Sequence, residues 1–190
     1  APMKAAIFYG PNQPLKLEER PTPSITPSEV LVKVAAGGVC HTDLHYIDHG
    51  VPTFKKPPLI LGHEPSGIIA QAGSDVKTFK EGDRVLLPAV LTCGSCEFCR
   101  TGRENICTTM TMFGNNVDGA YAEYVAAPGK DVFHLPKDAP WQGLERTHEP
   151  AIVDRSALVD HDLALLAVPR QPPRKRYPQE TVSGDARLPG

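Results

Sequence analysis

The sequence predicts a mainly β protein: a partly open barrel with short helices and a metal-binding lobe. Two observations carry the barrel. Short runs of alternating apolar residues recur between Gly- and Pro-containing turns, and no long helical periodicity interrupts them before residue 138. The lobe rests on a third, four cysteines within one short loop.

Residues 3–9 and 15–19 read as strands separated by the turn-like Gly10-Pro11-Asn12-Gln13-Pro14. Residues 28–36 alternate, with Val30, Val32 and Val34 on one face and Leu31, Lys33 and Ala35 on the other. After Gly37-Gly38, the run Cys40-His41-Thr42-Asp43-Leu44-His45 suits a short helix with His41 and His45 on one face. A Pro-rich, lysine-bearing loop fills 50–60. Ile68-Ile69-Ala70 forms a strand between Gly67 and Gly73, Glu81-Gly82-Asp83 a turn, and Arg84-Val85-Leu86-Leu87 the next strand. The cysteine loop spans 93–107; residues 119–126 alternate again, and 131–135 make a last short strand.

Beyond Asp138 the character changes. Nine Lys and four Arg precede this point; one Lys, six Arg and seven prolines follow it. This predicts a domain over 1–138 and an unrelated tail over 139–190, with one helix at 157–168 ended by Pro169 and a disordered Pro-rich end. A replaced or out-of-frame continuation of a longer gene would produce such a switch.

Composition excludes several functions. With 41% hydrophobic and 22% charged residues and a net charge of −2, neither nucleic acid nor an anionic membrane is expected as main partner. No apolar run approaches the ~18 residues of a membrane span. The start Ala1-Pro2-Met3-Lys4 has no secretory pattern, and an odd count of five cysteines makes a poor disulfide framework. A reducing compartment, the cytoplasm, is expected.

Cys93-x2-Cys96-x2-Cys99-x7-Cys107 supplies four thiolates at spacings that suit a tetrahedral zinc ion. With every position filled, such a site is structural, and its binding energy becomes folding energy. Two disulfides or four free thiols are the alternatives. Arg100 and Arg103 are balanced by Glu97 and Glu104, which argues against a nucleic-acid zinc finger.

The 40–45 run is less decisive alone. A thiolate at a helix start suits zinc, and a hydroxyl followed by an imidazole suits a proton relay. An ordinary buried cysteine with solvated histidines fits equally well. Gly62-His63-Glu64, an imidazole beside a carboxylate between glycines, adds weight in combination.

Together, Gly38-Val39-Cys40-His41-Thr42-Asp43, Gly62-His63-Glu64, Gly82-Asp83-Arg84-Val85 and the cysteine quartet resemble the zinc-containing alcohol dehydrogenases of the medium-chain superfamily. The likeness covers about residues 3–138, which in that family form most of a GroES-like catalytic domain. The resemblance implies that Cys40 and His63 are catalytic-zinc ligands, with Glu64 as the acid at the metal. It further implies that Asp43 orients the ligating imidazole, Thr42 takes the alcohol proton, and His45 passes it toward solvent. His41 matches a position near the cofactor pyrophosphate, and Cys93, Cys96, Cys99 and Cys107 match the structural-zinc ligands. The implied reaction is NAD- or NADP-linked oxidation of a small alcohol to an aldehyde or ketone.

A Rossmann domain is expected to be absent. After Asp138 the only glycines are Gly143, Gly184 and Gly190, so no Gly-x-Gly-x-x-Gly turn exists. The sequence therefore reads as a dehydrogenase truncated before its nucleotide-binding domain. Its alternatives are a non-catalytic zinc-binding structural or interaction module, or half of a split enzyme whose nucleotide domain a partner chain supplies; a homo-oligomer is the other partner expected. The family's third zinc ligand has no cysteine to match; Asp154 is a weak substitute, and His148 and Glu149 are weaker.

Overall fold

The computed structural model describes residues 1–139 and the backbone of 152–154. The expected helix at 157–168, the Pro-rich tail, His148 and Glu149 lie outside the described residues.

Strand β1 (Pro2–Phe8) is flanked by β2 (Lys16–Pro21) and by β4 (Leu59–Ile60), both antiparallel, in a three-stranded sheet. The larger sheet is built on β3 (Glu29–Gly38), the longest strand. One side of β3 pairs β5 (Pro65–Ala72), which continues to β6 (Arg84–Leu86) and β10 (Phe133–His134). Its other pairings are with β9 (Tyr124–Pro128) along residues 29–33 and with β11 (Ile152–Asp154) along 36–38. Register shifts at Leu31/Val32 and Val34/Ala36 bend the β3–β5 pair, as bulges do, and curl the sheet. The barrel is partly open, as its two sheets do not close on each other.

The alternation read in 28–36 has its physical cause in burial. Val30, Val32, Val34 and Ala36 line one face and are buried, whereas Lys33 is exposed. The three valines pack with Ile69, Val85, Leu87, Phe113 and Val125 as the principal core. Smaller clusters around Met3 and Ile7, and around Phe8, Tyr46 and Leu61, lie beneath β1 and the first helix.

Three elements differ from expectation. The 50–60 loop ends in β4, because Leu59 and Ile60 extend the hydrogen-bonded edge of β1. A hairpin-like pair, β7 (Val90–Leu91) and β8 (Thr111–Met112), brackets the cysteine loop; each is two residues long, too short for periodicity to detect. The alternating stretch 119–126 becomes a regular strand only from Tyr124. Residues 119–123 instead cross between the sheets. Tyr121 N–H donates to Leu61 O at 2.9 Å, Ala6 N–H to Tyr121 O at 2.8 Å, and Val34 N–H to Glu123 O at 2.9 Å. This crossing satisfies the backbone of both sheets and seams them together.

The helix α1 (His41–Asp48) sits at the end of β3, and α2 (Glu97–Arg100) lies in the cysteine loop. Among the described residues no helix is long and apolar enough to cross a membrane.

Candidate metal centres

In the cysteine loop, α2 and the 3-10 turn Glu104–Ile106 wrap the chain around four sulfurs. All four cysteines are free, and their Sγ atoms lie within 4.8 Å of one another. Cys93 and Cys99 are 3.8 Å apart, Cys96 and Cys99 3.5 Å. Those separations far exceed a disulfide bond. They match the roughly 3.8 Å edge of a tetrahedron with metal–sulfur arms of about 2.3 Å. The backbone favours thiolates: N–H groups of Ser95 and Cys96 aim at Cys93 Sγ and pull its pKa down to about 5. The N–H of Cys99 likewise lowers Cys96. Burial pushes Cys99 up to about 12, helped by its neighbour Cys96. A divalent cation would relieve this crowding of sulfurs.

A second group forms where α1 meets the β4–β5 connection. Cys40 caps α1, and His63 and Glu64 precede β5. One donor atom from each of Cys40, His63 and Glu64 lies within 4.8 Å of the others. His63 is buried, with Nε2 3.9 Å from Glu64 Oε1 and Nδ1 3.5 Å from Asp43 Oδ1. Nδ1 makes no hydrogen bond. Burial alone would depress the His63 pKa, but the Asp43 carboxylate, joined by Cys40, outweighs it and raises the ring to about 9. A soft thiolate, an imidazole and a carboxylate are donors that zinc accepts together.

Asp43 organises this group. It is 1% exposed and sits in the first turn of α1, where its Oδ2 accepts the Cys40 N–H at 3.2 Å, as a capping-box acid does. Its Oδ1 accepts the Gly62 N–H at 3.2 Å. Tyr121, a residue that no motif singled out, donates its hydroxyl to Oδ2 at 2.9 Å. Burial and the adjacent Asp43 charge hold that phenol protonated well above its usual range. Its sequence signal was slight: an aromatic hydroxyl within the alternating 119–126 run, which needs a partner when buried.

The other predicted residues fall around this group. Thr42 Oγ1 is 3.5 Å from Cys40 Sγ, which donates to it. His41 and His45 are exposed on α1, and His45 stacks edge-on with His49 at 5.3 Å between ring centroids. A brace missed by sequence reading holds α1: Asn115 donates to Tyr46 Oη at 2.6 Å while its side-chain oxygen accepts the Phe54 N–H at 2.9 Å. The register of β11 sets Asp154 opposite Ala36, about 13 Å of extended chain from Cys40. A groove of about 810 Å³ opens between β4 and β9, and none of Cys40, Asp43, His63 or Glu64 lines it.

Residues 26–137 match the family described as the alcohol dehydrogenase GroES-like domain. An alcohol dehydrogenase of Geobacillus stearothermophilus is 44% identical over 135 residues, covering 70% of this chain and 40% of that relative. Among solved structures, a short chain alcohol dehydrogenase (RspB) from Escherichia coli CFT073, complexed with NADH, superposes with a TM-score of 0.68 at 34% identity, over 75% of this chain and 41% of that one. A cobalt- and zinc-bound thermostable alcohol dehydrogenase from Pyrobaculum aerophilum gives 0.65 at 33% identity, over 74% and 43%. The chain thus spans about 40% of the length of these relatives. With more than half of its residues inside the family match, and its free cysteine quartet placed as zinc requires, the chain belongs to the alcohol dehydrogenase GroES-like domain family, as an N-terminal domain of the zinc-containing medium-chain kind.

Proposed function

We propose that residues 1–138 form the catalytic domain of a zinc-dependent alcohol dehydrogenase. The observation that carries this is the convergence of Cys40 with His63 and Glu64, brought within 4.8 Å from separate segments. In this reading Cys40 and His63 hold the reactive zinc, Glu64 is the acid beside it, and Cys93, Cys96, Cys99 and Cys107 hold a second ion for architecture.

Bound there, zinc would act as a Lewis acid that lowers the pKa of an alcohol oxygen. The protein's own groups do the rest. Asp43 orients the His63 ring. In this reading Thr42, one helical position before Asp43 and against Cys40, takes the alcohol proton, and His45, exposed one turn later, hands it to solvent. In this reading His41, exposed at the first position of α1, meets a nucleotide phosphate.

The hydride needs an acceptor that no side chain supplies, and a nicotinamide nucleotide, NAD or NADP, is the acceptor this reading requires. Every ladder among the described strands is antiparallel, so those residues contain no βαβ nucleotide-binding unit. The acceptor would be held elsewhere, by another segment or by a partner chain, and the substrate would be a small alcohol.

Metal stoichiometry on the full chain purified without chelator tests the site. Two zinc ions per chain, with one lost in Cys40→Ser, is the expected result. One ion, retained in Cys40→Ser, would remove the reactive centre and leave a structural zinc module.

A further inference from the structure

We infer that Tyr121 is a positioning residue for the Cys40–His63 site: its hydroxyl locks the Asp43 carboxylate, and Asp43 in turn holds His63 with Nε2 toward the other donors. The inference rests on the metal-site reading proposed above. Its basis is the allocation of the four groups around a single buried carboxylate. Oδ2 takes the Cys40 N–H at 3.2 Å and the Tyr121 hydroxyl at 2.9 Å. Oδ1 takes the Gly62 N–H at 3.2 Å and faces His63 Nδ1 at 3.5 Å. The two backbone donors belong to Cys40 itself and to the neighbour of His63, so the carboxylate ties together both segments that supply the donors.

Tyr121 makes the shortest of these contacts. Its hydroxyl has one proton and two acceptors in reach, Asp43 Oδ2 and the Gly38 carbonyl at 3.1 Å. The carboxylate is nearer and charged, so it takes the proton. With Oδ2 satisfied twice, Oδ1 remains for His63. A carboxylate facing Nδ1 keeps the ring proton there and leaves the Nε2 lone pair on the side of Glu64, 3.9 Å away. The hydroxyl is held in place by packing. The Tyr121 ring lies flush on the Gly62 backbone, where an added Cβ would sit 2.4 Å from Cδ1. Phenylalanine would keep that wedge and remove only the hydroxyl.

The test is zinc competition against a chromophoric chelator, using the wild-type chain, Tyr121→Phe, Asp43→Asn and the double variant. The equivalent lost in Cys40→Ser identifies the site, and the cysteine-quartet equivalent serves as internal control. The expected result is a loss of about tenfold in affinity for Tyr121→Phe at this site alone, the lower end of what outer-shell partners contribute. Because Tyr121 acts through Asp43, its removal should cost nothing further in the Asp43→Asn background. Unchanged affinity in Tyr121→Phe, or a full additional tenfold loss in the double variant, would overturn the inference. A purely structural hydroxyl would lower the melting temperature and weaken both equivalents together. If the wild type shows no Cys40-dependent equivalent, the site reading itself fails instead.

Discussion

Tyr121 and Asp43, 78 residues apart in the chain, meet at 2.9 Å beneath the Cys40–His63 group. The pair places a charged hydrogen bond where the crossing segment touches the start of α1, so a fold contact and a site contact are one contact. Asp43→Asn should therefore register in both properties. An amide in place of the carboxylate turns one acceptor into a donor and sets it against buried donors, at about 1–3 kcal/mol. Melting should fall by several degrees, and affinity of the Cys40–His63 site by about 10- to 100-fold. A melting curve and a zinc titration on one preparation check both.

Gly62 and Gly82 separate backbone strain from steric overlap. Both have left-handed φ, +91° and +89°, which a side chain disfavours. An added Cβ meets the Tyr121 ring at Gly62 and nothing within 4 Å at Gly82. Gly82→Ala should lose about 1–2 kcal/mol from backbone strain alone. Gly62→Ala should lose more and displace His63 with it. Equal losses in denaturant unfolding of the two variants would contradict the packing described.

The His63 pKa of about 9 lies above the ordinary imidazole value. The sign follows from linkage. In the metal-free chain, the charged ring stabilises the fold fully below its unfolded pKa, and that contribution disappears as pH rises through about 9. A metal must displace this proton and the Cys40 thiol proton, so affinity at this site should climb with pH, roughly tenfold per unit for each proton, with the His63 share levelling near 9. Asp43→Asn should move the levelling point down toward the ordinary value. Zinc titrations across roughly pH 6 to 9 measure it.

Loss of the cysteine-quartet metal should act locally. Cys99→Ser should remove one zinc per chain and open residues 93–107 to protease, because the loop is held by sulfurs more than by apolar packing. The principal core around Val30, Val32, Ile69 and Val85 draws on other elements and should persist. Limited proteolysis with mass detection of the cut sites distinguishes this local opening from global unfolding.

The sequence by itself determined most of the strand pattern and the grouping of the four loop cysteines. Val30, Val32 and Val34 announce a strand because alternate side chains must share one buried face. The cysteine quartet is legible because its ligands are near neighbours, so spacing alone constrains geometry. Only the tertiary structure decided what surrounds them. That Tyr121 reaches Asp43, that Asn115 braces Tyr46, and that residues 119–123 seam two sheets all depend on segments far apart in the chain. Contacts of that kind leave no periodicity, because they are fixed by how the sheets curl and pack against one another.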